Sequence, residues 1–255
     1  MHPKLANARG IYTVGILEGR PEEAIERFVG DRYTQHSTGV ADGVEGFVEF
    51  FEPFIERNPS RDIRVVRGWE DGQYVFLTAY QNINHGEAEW VTTDFFDTDE
   101  NDKIIEHWDV ISAFTGPNPS GRTQVDGPTE VTDLDKTEEN KATVRDMIEN
   151  VLMPGGDLDR MRSFFGDAYL QHNPDVPDGY EHFEALAKDP NRPLNYDELV
   201  LLVGSGNFVA SLSKANWDGA PLAQVDVFRL ENGKIVEHWD NSEPVPEKDV
   251  NSGKF

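Results

Sequence analysis

The chain has 255 residues, enough for one large domain or for two of ordinary size. Hydrophobic residues make up 37% and aromatic residues 11%, which supports folded cores rather than a disordered chain. Against 48 acidic residues stand 23 basic ones, a formal net charge of −25. Such a surface repels nucleic-acid phosphates and anionic lipid headgroups, so we expect neither nucleic acid nor a membrane as partner. The acidity also suits a protein in high salt.

The sequence contains no cysteine, which excludes disulfides, thiolate metal sites and thiol nucleophiles. Its first residues lack the apolar stretch of a signal peptide, and no apolar run is long enough to span a bilayer. We therefore expect a cytoplasmic protein.

The chain repeats itself. Residues 30–47 (GDRYTQHSTGVADGVEGF) and 166–183 (GDAYLQHNPDVPDGYEHF) are identical at ten of eighteen positions, where chance gives about one. Further on, residues 103–109 (KIIEHWD) return as 234–240 (KIVEHWD), and the offset falls from 136 to 131. The second copy has therefore lost five residues in its loops, where changes of length cost little.

The boundaries of the two copies follow from this repeat. Gly116–Gly127 (GPNPSGRTQVDG) is rich in glycine, proline and polar residues and has no apolar period, as expected of a linker. We predict a first copy over residues 1–115, a linker over 116–134, a second copy over 135–246 and a C-terminal tail over 247–255.

In the first copy, Pro21-Glu22-Glu23 predicts a helix start, with proline and acids in the first turn. The Tyr-x-Gln-His segment follows, and then Asp42, as a helix N-cap, opens a second helix. β-branched and aromatic runs separated by turn signals then predict four strands. These strands cover residues 63–69, 74–80, 90–96 and 103–114.

In the second copy, apolar residues from Val144 to Leu152 fall on one helical face, and Asp178 is again expected to be an N-cap. Its four strands are predicted over residues 198–203, 208–213, 224–230 and 234–240. Helices followed by an antiparallel meander predict, for each copy, an α+β domain with helices on one face of a curved antiparallel sheet.

The closing strand of each copy carries a histidine and an aspartate two residues apart. Because side chains alternate along a strand, His107 and Asp109 point to one face, and His238 and Asp240 do the same. If helices cover that face, the pair forms a neighbouring base and acid in a sheltered site. The alternative is a structural contact, or a solvated pair on an open face.

Two further pairs of polar residues occupy matching positions. His36 and His172 end the Tyr-x-Gln-His segments, where they either reach into the pocket or bond the last carbonyls of the preceding helix. Asp94 and Asp226 lie in otherwise apolar strands, where each lines the pocket or lies on a half-exposed surface.

His36, His107 and Asp109 could in principle supply two imidazoles and a carboxylate to a metal ion. The sequence does not fix their separation, and metal-free acid–base chemistry is the preferred interpretation. The chain also lacks a phosphate loop, a serine nucleophile elbow and a dinucleotide fingerprint. We expect no metal and no cofactor.

The segments YTQH (33–36), YLQHNP (169–174), KIIEHWD and KIVEHWD resemble the SnoaL-like polyketide cyclase group of the nuclear-transport-factor-2-like superfamily. That superfamily also holds ketosteroid isomerases and limonene epoxide hydrolases. The resemblance covers nearly all of each copy. It implies two cone-shaped, cystatin-like domains with a ligand pocket inside each cone. It also implies an internal pseudo-dimer of the two copies and leaves further self-association open.

The resemblance also implies roles for individual residues. Asp109 and Asp240 would be the acid–base groups, assisted by a set of histidines. These histidines are His107, His238, His36 and His172. The ligand-binding side chains would be Tyr33, Tyr169, Asp94 and Asp226.

The function implied is a cofactor-independent cyclase, isomerase or lyase acting on a small apolar carbonyl compound. Two alternatives stay open: a non-catalytic ligand-binding or scaffold protein of the same fold, and an epoxide or ester hydrolase. The copies differ after the histidine, where Asn173-Pro174 of the second copy follows the family pattern and the first copy has Ser37-Thr38.

Overall fold

The computed structural model describes residues 2–255, which form two compact units. The first unit contains the chain through Ala113 together with Val245–Phe255, and the second contains Phe114–Pro244. Each unit therefore holds one copy of the repeat and one segment without regular structure. We call residues 247–255 the first unit's arm and residues 116–127 the second unit's arm.

The first unit begins with helices and ends with strands. In chain order its elements are α1 (Pro3–Gly10), a π-helical continuation of it (Ile11–Leu17), α2 (Pro21–Phe28), β1 (Val29–Gln35), α3 (Gly43–Arg57), β2 (Arg61–Asp71), β3 (Tyr74–Ile83), β4 (Ala88–Thr98) and β5 (Ile104–Ala113). The second helix begins at Pro21, as its acidic first turn predicts.

The second unit follows the same order. Its elements are a 3₁₀ turn (Leu134–Lys136), α4 (Thr137–Met147) with a π-helical continuation (Ile148–Leu152), a 3₁₀ segment (Leu158–Phe164), β6 (Phe165–Gln171), α5 (Tyr180–Lys188), β7 (Leu194–Ser205), β8 (Phe208–Trp217), β9 (Ala220–Glu231) and β10 (Lys234–Pro244).

Each unit is built on one five-stranded sheet, in the order β1-β5-β4-β3-β2 in the first and β6-β10-β9-β8-β7 in the second. The four predicted strands pair antiparallel, but the prediction of a wholly antiparallel sheet is wrong by one strand. The Tyr-x-Gln-His segment forms β1 and β6, which pair parallel to β5 and β10. This pairing joins segments far apart in the chain, as a parallel ladder requires.

The helices of each unit cover one face of its sheet. The core under the helices of the first unit includes alternate residues of β3 (Val75, Leu77 and Ala79) and Phe96 of β4. That of the second unit includes Val209 of β8 and alternate residues of β9 (Phe228 and Leu230). The predicted α+β fold in two tandem copies is confirmed. Within residues 2–255, no helix combines the length and apolarity needed to cross a membrane.

Asp42 lies at the N-cap position of α3, as predicted, but its side chain makes no capping hydrogen bond. Asp178 is not an N-cap, because Gly179 has that position in α5. Their Oδ1 atoms instead accept the backbone N–H of Gln35 at 2.7 Å and of Gln171 at 2.8 Å. α5 begins at Tyr180, two residues beyond Asp178. An edge strand carries N–H groups that no neighbouring strand satisfies, and these carboxylates supply the acceptor.

One asparagine in each arm binds the loop that follows the edge strand. The Nδ2 atoms of Asn118 and Asn251 donate to carbonyl oxygens of the loop that follows the edge strand. The acceptors are Asn173 and Val176 for Asn118, at 3.2 and 3.1 Å, and Ser37 and Val40 for Asn251, at 2.7 and 2.8 Å. The acceptors are equivalent positions of the repeat, so the duplication extends into the arms.

Removing either asparagine side chain should lower the stability of the protein. Asn118→Ala and Asn251→Ala each leave carbonyls without their donor, which typically costs about 1–3 kcal/mol. Urea unfolding of each variant would measure this loss. Asn101→Ala, at an exposed turn position, is the control and should change little. Equal midpoints for all three variants would show that the arms are not fastened in this way.

Candidate functional site

Asp94, His107 and Asp109 come together on the helix-covered face of the first sheet. β4 and β5 pair so that Asp94 lies opposite Asp109 and Phe96 opposite His107. All three polar side chains are buried, and their ligand atoms lie within 4.8 Å of one another. Strand alternation therefore places His107 and Asp109 as expected, and pairing with β4 adds Asp94 to them.

A tyrosine and the histidine both hold Asp94. The Nε2 atom of His107 lies 3.0 Å from Oδ1 of Asp94. The hydroxyl of Tyr12, from the π-helical continuation of α1, donates to both carboxylate oxygens at 2.9 Å. Tyr12 was not singled out from the sequence, because it has no aligned counterpart in the second copy.

Gln35 fixes the proton on the other ring nitrogen. Its Oε1 atom accepts the backbone N–H groups of His36 and Ser37, both at 3.0 Å, which identifies it as the oxygen. The Nδ1 atom of His107 is 2.9 Å from the same oxygen and must donate to it. The contact between Nε2 and Asp94 therefore contains a further proton. His107 and Asp94 are either an imidazolium and a carboxylate or a neutral imidazole and a carboxylic acid.

The second unit repeats this arrangement. His238 lies 3.0 Å from Gln171 through Nδ1 and 3.1 Å from Asp226 through Nε2. Gln171 again accepts two backbone N–H groups with Oε1, each at 2.9 Å. The tyrosine that donates to Asp226 is Tyr196, at 3.1 Å to both oxygens, and it lies on β7 rather than on a helix. In the two units, tyrosines from non-equivalent elements thus donate a hydroxyl to the same aspartate position.

Burial changes the acidity of several of these groups. It raises the pKa of Asp94 and of Asp240 above the ordinary range of an aspartate. Burial alone would lower the pKa of His238, but the hydrogen bond to Asp226 and the charge of Asp240 raise it above its usual 6.5. These two interactions therefore stabilise the imidazolium form of His238.

The aspartates of the closing strands have different neighbours in the two units. Asp109 accepts the Ser37 hydroxyl at 2.6 Å, and the Lys254 ammonium of the arm lies 3.3 Å from its other oxygen. Asp240 accepts two hydrogen bonds from Nδ2 of Asn173, at 3.0 and 2.8 Å. Asn173 is the counterpart of Ser37 in the repeat, so a neutral loop side chain donates to the closing aspartate in both units, and the first unit adds the Lys254 cation.

His36 does not reach the cluster. Its Nε2 atom lies 3.0 Å from Oε1 of Glu106, and its ring stacks on Trp108 with centroids 4.9 Å apart. Its Nδ1 atom bonds the carbonyl of Gly253 in the arm. Glu106 and Trp108 alternate with His107 along β5, so His36 lies with the opposite face. Neither sequence interpretation of this histidine, pocket residue or helix cap, describes these contacts.

His172 occupies the same place in the second unit. It lies 2.8 Å from Glu237, stacks on Trp239 and contacts the carbonyl of Thr123 in the arm at 2.7 Å. Burial alone would raise the pKa of Glu237, but hydrogen bonds from His172 and Arg229 lower it. Both histidines therefore join arm to sheet, and the structure does not bring them to the aspartates.

Tyr33 and Tyr169 lie beside the histidines of the clusters and are buried. The ring of Tyr33 is parallel to that of His107, with centroids 6.4 Å apart, and Tyr169 stacks on His238 at 6.5 Å. Burial raises the pKa of both phenols. They therefore stay protonated and serve as packing partners of the histidine rings.

Each cluster offers two carboxylates and one imidazole, a ligand set that divalent transition metals accept. This set differs from the one considered from the sequence, because Asp94 takes the place of His36. A surface cleft of about 540 Å³ in the first unit lies away from the cluster, bordered by residues 19–23 and by Glu52 and Glu56.

No protein-family model matches the sequence, and no curated protein matches it. Several solved structures are similar to parts of the chain. A candidate ketosteroid isomerase from Kribbella flavida matches with 13% identity and a TM-score of 0.39, over 44% of this chain and 84% of its own. A candidate polyketide cyclase from Bacillus cereus matches with 18% identity and a TM-score of 0.38, over 43% and 74%.

A candidate SnoaL-like polyketide cyclase from Jannaschia matches with 14% identity and a TM-score of 0.37, over 43% of this chain and 85% of its own. Each of these matches spans about the length of one unit. A likeness at these identities is one of fold and does not extend to a substrate or a reaction.

The ion pair of His238 and Asp226 should make stability depend on pH. Because the folded pKa of His238 is raised, its contribution is complete below pH 6.5 and is lost as the pH rises through the folded value. Asp226→Asn should therefore destabilise the protein most below pH 6.5 and less above it, as measured by urea unfolding across pH. Asp218→Asn, at an exposed turn, should show no such trend. A pH-independent difference between Asp226→Asn and wild type would contradict the ion pair.

Proposed function

We propose that this protein is an acid–base enzyme that moves a proton on the carbon next to a carbonyl group, as cyclases, isomerases and lyases do. The supporting observation is the Asp–His–Asp cluster, whose histidine and inner aspartate are buried in both units and which receives a tyrosine hydroxyl from non-equivalent elements. Burying charged groups is costly unless their interactions repay it. If these residues only stabilised the sheet, apolar side chains would do so without the cost of burying charge.

The aspartate of the closing strand is the proton acceptor in this proposal. Asp240 is partly exposed, and Ser242, two residues further along the same face, is exposed, so this end of the cluster is open. Asp226 and His238 are buried behind it. A substrate entering from the open end meets Asp240 first, and Asp109 has the matching place in the first unit.

The histidine and the inner aspartate, His107 with Asp94 in the first unit, stabilise the negative charge that proton removal creates. The proton between Nε2 and the carboxylate can lie on Asp94, and burial favours this neutral form by raising its pKa. A neutral carboxylic acid beside the Tyr12 hydroxyl provides donors for an enolate oxygen. In the second unit the proton shared by His238 and Asp226, together with the Tyr196 hydroxyl, has this role.

The motif resemblance to SnoaL-like cyclases supports the same choice of Asp109 and Asp240 as acid–base groups. It supports His107 and His238 as their partners but does not extend to His36 and His172, which lie elsewhere. A small-molecule ligand and a cytoplasmic location stay predictions.

Replacing both proton acceptors should abolish exchange of carbon-bound hydrogen. Asp109→Asn/Asp240→Asn should reduce the incorporation of solvent deuterium into carbonyl substrates about a hundredfold to ten-thousandfold, since it removes the general base. Proton NMR in deuterium oxide measures this incorporation, and thermal unfolding verifies the fold. Asp218→Asn serves as the control.

Undiminished exchange in the double variant would refute the assignment of the base. Ligand binding by wild type without any exchange would favour the non-catalytic alternative.

The rate in the second unit should depend on the ionisation of Asp240. Because burial raises its pKa above 3.8, kcat/KM should rise with pH through a value above the ordinary aspartate range. Asp109→Asn isolates the second unit for this measurement. A rate that is already maximal at pH 4 would contradict the prediction.

A further inference from the structure

The sheet positions around the aspartates, which we call the floor of each site, differ in polarity between the two units. Strand pairing aligns the positions around the aspartates, because Asp94 and Asp226 occupy the same place in the two sheets. The aligned pairs are Leu77 with Ser211, Ala79 with Ser213, Thr92 with Gln224, and Ile111 with Ser242. The floor of the first unit is mostly apolar, whereas that of the second is polar at every one of these positions.

Two of these polar groups have no partner. Ser211 and Ser213 are 0% exposed, and neither hydroxyl makes a hydrogen bond within residues 2–255. Ser211 lies directly opposite Asp226, and Ser213 directly opposite Gln224. Both hydroxyls are therefore on the face that carries the cluster. A buried hydroxyl without a partner destabilises a protein, and native structures contain few of them.

The fold itself does not require these serines. Leu77 and Ala79 fill the equivalent positions of the first unit and are fully buried in an apolar core. The same backbone thus accepts apolar side chains without loss of the cluster. The second unit therefore retains two destabilising serines for a reason other than folding. Because both serines lie beside the cluster, we take that reason to be hydrogen bonding to a ligand.

Access to the base also differs between the units. In the first, Lys254 lies against Asp109 and is itself 4% exposed, so the arm covers this aspartate. In the second, Asp240 is partly exposed. Gln224 adds an amide on the same floor, which donates to Asp226 at 3.1 Å.

We propose that the second unit's site takes a small polyhydroxylated carbonyl compound, with Ser211, Ser213 and Gln224 as hydrogen-bonding partners of its hydroxyl groups. This inference rests on the acid–base function proposed above. Asp240 removes a proton from the carbon next to the carbonyl, and the electrons of that C–H bond form the C=C bond of an enediol. The carbonyl oxygen receives the proton shared by His238 and Asp226. Reversal of these steps returns a solvent proton to carbon.

Two probes distinguish this substrate class from an apolar one. Dihydroxyacetone is the polyhydroxylated probe and β-tetralone the apolar one, each incubated with the full-length protein in deuterium oxide. Rates are normalised to the exchange that acetate catalyses for the same probe. We expect a normalised kcat/KM at least tenfold higher for dihydroxyacetone, abolished by Asp240→Asn and retained in Asp109→Asn.

The serines are tested by removing their hydroxyl groups. Ser211→Ala/Ser213→Ala should raise the melting temperature, because two unpartnered hydroxyls are lost, and should lower kcat/KM for dihydroxyacetone at least tenfold. Exchange of β-tetralone should not fall. Thr78→Val is the matched control, since Thr78 has a buried, unpartnered hydroxyl next to Leu77 on the opposite face of its strand. It should raise stability and leave both exchange rates unchanged.

The outcomes separate the two proposals. Exchange of β-tetralone alone through Asp240 would overturn the polyhydroxylated substrate and leave the acid–base function intact. A double serine variant that is more stable and exchanges dihydroxyacetone normally would also overturn it. Absence of exchange with both probes would overturn the acid–base function together with the inference that rests on it.

Discussion

The site in each unit depends on the side-chain carbonyl of one glutamine. Gln35 and Gln171 end the parallel edge strands, and each Oε1 atom accepts two backbone N–H groups and one histidine Nδ1. The backbone donors hold the loop after the strand, and the third contact sets the orientation and tautomer of the histidine. With Nδ1 committed, the Nε2 side can only share a proton with the aspartate. Loop conformation and acid–base chemistry therefore depend on the same oxygen.

Much of the fold could be predicted because duplication shows each element twice, and strand alternation alone places His107 and Asp109 on one face. A single strand pattern does not show which strand lies next to it. The position of Asp94 beside them comes from the β4–β5 register. The parallel edge strand joins distant segments, which no local period indicates. Tyr12 and Tyr196 could not be found by comparing copies, because their elements do not align.

Comparison of the units shows how one backbone supports different electrostatics. Two carboxylates and one imidazole occur in both. The first unit balances them with the Lys254 ammonium, and the second provides the Asn173 amide and a polar floor. A buried charge must be compensated within a few ångströms. The glutamine, histidine and two aspartates thus stay the same, while the side chains around them differ between the units.

The arms also determine when each unit can be finished during synthesis on the ribosome. The second unit's arm precedes its domain, so every part of that unit has been made once Pro244 has emerged. The first unit includes Asn251 and Lys254, which follow the last strand of the second unit in the chain. Although its helices and strands are translated first, it cannot acquire its last contacts until the whole second unit has been made. The domain that begins first is thus the last to be completed.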